Sequence, residues 1–324
     1  KIDAKIKQGT KIKVLEGVPV AIKDNIMLSS VKATAGSNIL STYVAPYDAT
    51  VIEKLKKQGS VFLGKTNMDE FAMGGSGETS FFGPARNPHN LDKVPGGSSS
   101  GSAVAVASNE SIYALGSDTG GSVRQPASLC GIVGFKPTYG RVSRYGLMAM
   151  ASSFDQIGCL TKTVKDSAYV FESIAGVDKL DSTTVDKKPK VLDELEKDLQ
   201  GLRVGVPKEF FVKGMDPRVE MQVKSSIDKL LKLGVELVEV SLPKTAYALA
   251  TYYVLMPAEV SSNLARYDGV RYGYRADSGN LLEMYLKSRS QGFGEEVRRR
   301  VMLGTYVLSS GYYDAYYKKA QQVR

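Results

Sequence analysis

Short apolar runs alternate with amphipathic stretches along most of this chain. "VPVAIKDNI", residues 18–26, predicts a buried strand carrying one awkward lysine, Lys23. In "DATVIEKLKKQG" the apolar Val51, Ile52 and Leu55 recur at helical spacing, with Asp48 the expected N-cap and Gly59 the stop. "SVFLGKT" predicts a strand, "GSAVAVASN" a small-residue helix starting near Ser100, and "SIYALGSD" another strand. "SVRQPASLCG" predicts a short helical turn broken by Pro126. Further on, "LRVGVP" and "VELVEVSL" predict strands around the helix "DPRVEMQVKSSIDKLLKLG", capped by Asp216, opened by Pro217 and closed by Gly234. Strands alternating with helices argue an α/β fold on a largely parallel or mixed sheet.

Composition narrows the class. With 324 residues, 43% hydrophobic and 24% charged, the chain has enough apolar material for a sizeable core in one large domain or two smaller ones. Its longest apolar runs, such as "LCGIVGF", fall well short of the roughly 18 residues that a membrane span requires. Two cysteines, Cys130 and Cys159, make neither a disulfide framework nor a metal-ligand cluster, which suits a reducing cytoplasm and two small core residues. The net charge of +9, with Lys1, Lys5, Lys7, Lys11 and Lys13 as one basic patch, is compatible with a nucleic-acid partner, but no RNA-binding motif accompanies it. A solvated surface is the expected role of that patch. The start at Lys1 and the helical pattern still running in "YYKKAQQVR" make both ends read as cuts, so targeting is not inferred.

Three motif matches fail on context. "GSSSG" fits a nucleophile elbow centred on Ser99, yet that family needs a histidine after the serine, and the chain's single histidine, His89, precedes it. His89 is expected in a surface loop. "GSVFLGKT" fits a phosphate-cradling loop, but its intervening residues have the pattern of a buried strand, preceded by a helix. "SIDK" pairs Ser226 with Lys229 on a charged amphipathic helix, with no partner motif.

A hydrolase without histidine can still activate a serine if a lysine is held uncharged. Only about one free lysine in 2,500 is neutral at pH 7, and holding one neutral there costs about 4 kcal/mol of burial. Lys23, in its apolar strand, is the best placed for this; the alternative is an ion pair with Asp24 or another carboxylate. Two Gly/Ser-rich corners are candidates for the rest of the chemistry: "VPGGSSSGSAVAVAS", which is either a tether or an active-site loop, and "GSDTGGSVRQPAS", which runs from strand to helical turn. Such a corner exposes backbone N–H groups around Thr119, Gly120, Gly121 and Ser122, where a substrate oxygen can approach, though a plain glycine-rich turn has the same composition.

Taken together, "GVPVAIKDN", "GKTNMDEFAMGGSGETSFFGPARNP", "PGGSSSGSAVAVA" and "GSDTGGSVRQPASLCGIVGFKPTYGRVSRYG" closely resemble the amidase signature family. The resemblance is dense over residues 17 to about 160 and thinner over about 200–324. It implies one amidase domain over 1–324, shortened at both ends, with a central mixed, mostly parallel sheet covered by helices on both faces. It implies a Ser-Ser-Lys triad of Ser122 as nucleophile, Ser98 as bridge and Lys23 as base, an oxyanion hole at residues 119–122, and a cis peptide before Ser98. Ser99 and Ser100 are expected to bond the loop and cap the helix that follows. Asp118 and Arg124 are expected to pair and fix the nucleophile turn.

"GRVSRYGLMAMASSFDQIG", "SSNLARYDGVRYGYR" and "LGTYVLSSGYYDAYYKKAQQVR" are most similar to the branch of this family that releases ammonia inside bacterial tRNA-dependent amidotransferases. That resemblance implies glutamine as substrate, partner subunits B and C in a heterotrimer, and charged tRNA as acceptor. It implies no cofactor or metal in this chain, with ATP and Mg used by a partner. A stand-alone amidase acting on small or aryl amides is the alternative. Glutamine needs further anchors: Arg300 shares a helical face with Val297, Val301 and Gly304, with Arg299 the competing choice, and the resemblance adds Tyr253 and Gly74, Gly75 and Ser76. Cys159 stands where those relatives usually have proline, which reads as a neutral packing change.

Overall fold

The computed structural model describes residues 2–186 and 189–324; Lys1, part of the basic patch, lies outside them. The chain runs through α1 (Ile2–Lys7), β1 (Pro19–Lys23), α2 (Thr50–Gln58), β2 (Val61–Thr66), α3 (Ser100–Ala107), β3 (Tyr113–Asp118), α4 (Arg124–Leu129), β4 (Val133–Phe135), β5 (Gln156–Thr161) and α5 (Val164–Ile174). A smaller unit follows, β6 (Arg203–Pro207), α6 (Pro217–Lys232) and β7 (Glu236–Val240), and then the helices α7 (Ala248–Asn263), α8 (Leu281–Gly292), α9 (Glu295–Leu308) and α10 (Lys319–Val323).

The central sheet has the order β2-β1-β3-β5-β4. β1 lies parallel to β2 and β3, whereas β5 is antiparallel to β3 and β4, so the sheet is mixed; β6 and β7 form a separate parallel pair. Alternation along the strands sorts the core into two layers. Val20 and Ile22 of β1, Tyr113 and Leu115 of β3, and Ile157 and Cys159 of β5 pack with α2 and α5. Ala21, Ala114 and Leu160 face the other way, against the small residues Ala103, Val106 and Ala127 of α3 and α4. Helices therefore cover both faces, and alanines on the second face let α3 lie close to the sheet. Lys23 shares the alternation of Ala21, which sends it to the α3 side.

A third apolar cluster joins Met256 and Val260 of α7, Phe293 just after α8 and Val297 of α9 to Ile39, Leu40, Met68, Phe71 and Met73. It seats the helical region against the loops at one end of the sheet. α7 and α9 approach closely because Gly304 faces the Pro257 carbonyl, where a Cβ would stand 1.8 Å from that oxygen.

Most predicted elements are found in place, with corrections at the caps and at Pro126, which lies in the first turn of α4 and does not break it. Asp48 does not cap α2: the N-cap is Ala49, and the Asp48 carboxylate instead takes the Ser29 N–H at 2.8 Å and pairs with Lys56. Gly59 ends that helix in the left-handed region, and Asp216 caps α6 through the Arg218 N–H. Ser99 and Ser100 do not cap α3 with their side chains. The Ser99 hydroxyl is drawn to β3, bonding both the N–H and the carbonyl of Ser117, and the Ser100 hydroxyl is buried without a partner among the described residues. Both cysteines are free and buried. Burial pushes their thiols up, to about 11 for Cys130 and about 12 for Cys159. His89 bonds the Cys130 carbonyl from its loop; Ser226 and Lys229 lie on the exposed side of α6; "SVFLGKT" forms β2, but as an edge strand with Val61 and Leu63 exposed, not as the buried strand expected. No described helix is long and apolar enough to cross a membrane.

Candidate active site

Lys23 is the last residue of β1 and is fully buried. Its Nζ stands 2.8 Å from Ser98 Oγ, 2.8 Å from Ser117 Oγ and 3.3 Å from the Ser117 carbonyl. Among the described residues no carboxylate pairs with it; Asp24, the neighbour expected to compete for it, pairs with Lys65 at 3.0 Å instead. Burial lowers its pKa from 10.5 to about 7, against the pull of Asp69, Asp118 and Asp155. Those three carboxylates are engaged elsewhere. Asp69 takes the N–H groups of Gly77 and Thr79, and Asp155 takes those of Met150 and Ala151 with the Thr119 hydroxyl. Asp155 is itself pushed up to about 6 by desolvation.

Ser98 is fully buried in the turn that leads into α3. Gly96 and Gly97 make that turn at φ +81° and +60°, and a Cβ at Gly97 would stand 2.4 Å from Pro126 Cδ, so both positions call for glycine. Among the described residues no peptide bond is cis. The expected cis bond before Ser98 is therefore not present here; the reversal is made by two left-handed glycines. The loop is tied at both sides, with the Gly97 N–H donating to the Gly75 carbonyl and the Ser99 N–H donating to the Ser122 carbonyl at 3.1 Å.

Asp118, at the end of β3, builds the corner that holds Ser122. Its carboxylate accepts the N–H groups of Gly121, Val123 and Arg124 and binds the Arg124 guanidinium through both oxygens. Burial opposes its ionisation, yet Arg124 and the backbone donors keep its pKa below the usual carboxylate range. The four N–H groups of the expected oxyanion hole are therefore not equivalent. The Gly121 N–H is spent on Asp118 at 2.7 Å, whereas those of Thr119, Gly120 and Ser122 donate to no acceptor among the described residues. The Ser122 hydroxyl likewise makes no hydrogen bond among the described residues, so Ser122 and Ser98 are neighbours through the backbone and not through a bond between their hydroxyls.

A cavity of about 590 Å³ opens onto this corner. Gly74, Gly75, Gly120, Gly121, Ser122, Tyr253 and Arg300 line it, so the structure gathers most of the expected site at one place, with Lys23 and Ser98 behind it out of solvent. Ser76 and Thr119 do not line it; the Ser76 carbonyl holds the Gly96 N–H, and the Thr119 hydroxyl is turned to Asp155. Arg300 and not Arg299 turns inward: its side chain is 8% exposed, bonded to Glu296 at 2.8 Å and set over the Tyr253 ring, whereas that of Arg299 is 55% exposed and pairs with Glu295 and Glu296. Among the described residues no group of three or more His, Cys, Asp or Glu side chains could hold a metal ion.

The model of the family described as Amidase matches residues 1–324. The chain belongs to the amidase family. Within it, the chain is 58% identical to the A subunit of glutamyl-tRNA(Gln) amidotransferase from Fusobacterium nucleatum, over all of this chain and 67% of that protein. The crystal structure of the corresponding A subunit from Thermotoga maritima is 49% identical at a TM-score of 0.79, over 95% of this chain and 64% of that one. Peptide amidase from Stenotrophomonas maltophilia, at 32% identity and a TM-score of 0.79, shares the fold over 99% of this chain and 67% of its own. The chain thus spans about two thirds of the length of these amidase-family relatives.

Several residues of the site carry no sequence signal of their own. Ser117 lies in a strand pattern beside Asp118, and only the fold brings its hydroxyl onto Lys23. Asn25 follows two residues after Lys23 and bonds Ser117 at 2.9 Å, Gln125 ties α4 to the Gly75 carbonyl, and Tyr252 stands over Gly120.

Proposed function

We propose that this protein is a glutaminase working through an acyl-enzyme, with Ser122 as nucleophile, Ser98 as proton relay and Lys23 as base. The observation that carries it is the buried Lys23 amine 2.8 Å from Ser98 Oγ, at a pKa near 7. At neutral pH about half of such an amine is free to accept a proton, against about one in 2,500 for an ordinary lysine. Ser122 attacks the side-chain amide carbon of glutamine while its proton passes to Ser98 and that of Ser98 to Lys23. Of the unclaimed N–H groups in the 119–122 turn, those of Gly120 and Ser122, which line the cavity, are the donors best placed for the oxyanion, with that of Thr119 behind them. The C–N bond breaks as the amide nitrogen takes a proton back from Lys23 through Ser98, and ammonia leaves. Water, activated along the same relay, then cleaves the ester to give glutamate and restore Ser122. Arg300 offers its guanidinium to the α-carboxylate, with Tyr253, Gly74 and Gly75 as the surrounding wall.

The relatives named for glutamyl-tRNA(Gln) amidotransferase support a larger setting. There this protein, with partner subunits B and C, would supply ammonia for amidating glutamate on tRNA(Gln), or aspartate on tRNA(Asn), and ATP and Mg would be used by a partner. The test is ammonia release from glutamine by the protein purified with whatever partners accompany it. Ser122→Ala and Lys23→Ala are expected to lower the rate at least about 10³-fold. Unchanged rates in both variants would refute the assignment, and absence of partners would refute the complex.

A further inference from the structure

Lys23 Nζ faces three oxygens: Ser98 Oγ, Ser117 Oγ and the Ser117 carbonyl. An ammonium has three hydrogens to give and satisfies all three. The neutral amine has two hydrogens and a lone pair, so one of the three contacts must reverse. The Ser117 carbonyl can only accept. The lone pair is therefore shared out between two hydroxyls at the same 2.8 Å, those of Ser98 and Ser117. Of the two, Ser98 is the hydroxyl that the proposed relay uses, and the residue after it, Ser99, donates its N–H to the Ser122 carbonyl. A lone pair turned to Ser117 is useless for the reaction proposed above.

Asn25 decides between them. Its Nδ2 stands 2.9 Å from Ser117 Oγ, and its Oδ1 is buried with no hydrogen-bond partner among the described residues. A buried amide oxygen without a donor is costly, and a half-turn of the amide, which exchanges its oxygen and nitrogen, replaces the Nδ2 bond to Ser117 with one from the Ser117 hydroxyl to that oxygen and leaves Nδ2 in the oxygen's former place. In that rotamer Ser117 gives its hydrogen to Asn25 and can only accept from Lys23, which leaves the lone pair for Ser98. We propose that Ser117 and Asn25 are positioning residues that aim the Lys23 lone pair at Ser98, a role that rests on the glutaminase reading.

The test follows kcat, KM and the pH profile of ammonia release in Ser117→Ala, Ser117→Thr and Asn25→Leu, per active site titrated by acyl trapping on Ser122. Ser117→Ala is expected to lower kcat tenfold or more at constant KM. It is also expected to move the midpoint of the rate to lower pH, because the ammonium loses one of its three acceptors. Ser117→Thr, which keeps the hydroxyl, should stay within about threefold of the parent, and Asn25→Leu should fall with Ser117→Ala. A Ser117→Ala protein with parental kcat and midpoint, or a Ser117→Thr protein as impaired as Ser117→Ala, would overturn the role. If Ser117→Ala does not fold, Asn25→Leu tests the role through kcat alone: a tenfold loss at constant KM supports it and a parental kcat overturns it. Lys23→Ala in parallel separates the two ideas: if it stays active the lysine mechanism itself is wrong, and if it is dead while Ser117→Ala is normal only the positioning role falls.

Discussion

The carboxylate of Asp118 grips Arg124 at both ends of its guanidinium, Nε at 3.0 Å and Nη2 at 2.9 Å, while the same two oxygens collect three backbone N–H groups of the turn between them. Asp118 is fully buried, but the side chain of Arg124 is 52% exposed. The two partners are therefore unequal. Removing the arginine leaves a carboxylate still held by three donors, whereas removing the charge on the aspartate releases the corner that carries Ser122. Asp118→Asn is expected to lower activity at least a hundredfold and stability by about 1–3 kcal/mol, the range for leaving buried donors unpaired. Arg124→Ala should cost less in both, about 1 kcal/mol or below. Thermal melts and ammonia release measure the difference; the reverse ranking would show that the arginine and not the backbone network holds the turn.

The pH response separates a buried base from an ordinary lysine. With Lys23 at about 7, the rate should fall roughly tenfold per pH unit below that value and level off above it. Stability follows the opposite logic from a salt bridge. The folded-state pKa lies below the unfolded value, so burying this lysine costs stability, fully below about pH 7 and progressively less as pH rises toward 10.5. Lys23→Met, which fills the same space without a charge, should be inactive and more resistant to urea than the parent at pH 6, with the advantage shrinking at pH 9. A rate midpoint near 10, or a variant with the same urea advantage at both pH values, would mean that Lys23 is charged in the folded protein.

The sheet and its two layers were readable because the alternation of Val20, Ala21, Ile22 and Lys23 is that of a strand buried on both faces, and the glycine-rich corners announce turns by residue type alone. Partner choice was not. Asp24 and Asp48 looked like the local partners of Lys23 and α2, yet the fold offers each a different donor: Lys65 to the first, and Ser29 and Lys56 to the second. Arg299 and Arg300 are adjacent in a triplet, and the helical face shared with Val297 and Gly304 favours the second, but only the packing of α9 on α7 shows which reaches the cavity. The Gly121 N–H looks as free as its neighbours in sequence, and its loss to Asp118 depends on how tightly the corner closes.

The inward position of Arg300 makes a claim on substrate affinity. A guanidinium that binds a carboxylate through charge-assisted bonds contributes about 1.5–3 kcal/mol, so Arg300→Ala should raise KM for glutamine about ten- to a hundredfold with a smaller change in kcat. Arg300→Lys should recover only part of this, because an ammonium cannot offer two parallel N–H groups. Arg299→Ala should stay within about twofold of the parent. If Arg299→Ala carries the KM defect and Arg300→Ala does not, the substrate carboxylate lies elsewhere.

The contact between Gly304 and Pro257 tests how far the cavity depends on helix packing. Alanine is the better helix former by about 1 kcal/mol, so on an exposed helix Gly304→Ala would stabilise. Here its Cβ would stand 1.8 Å from the Pro257 carbonyl and 2.9 Å from the Ser261 Cβ, both on α7, and a backbone oxygen cannot swing aside. The helices must separate, at a cost of about 1–3 kcal/mol for overpacking that outweighs the gain in propensity. Since α7 carries Tyr252 and Tyr253 and α9 carries Arg300, the separation also widens the cavity between them. Gly304→Ala is expected to unfold at lower urea and to show a raised KM for glutamine with kcat nearly preserved, because Lys23, Ser98 and Ser122 sit on the sheet side of the cavity. A variant as stable as the parent with an unchanged KM would show that α7 and α9 can slide apart without disturbing the site.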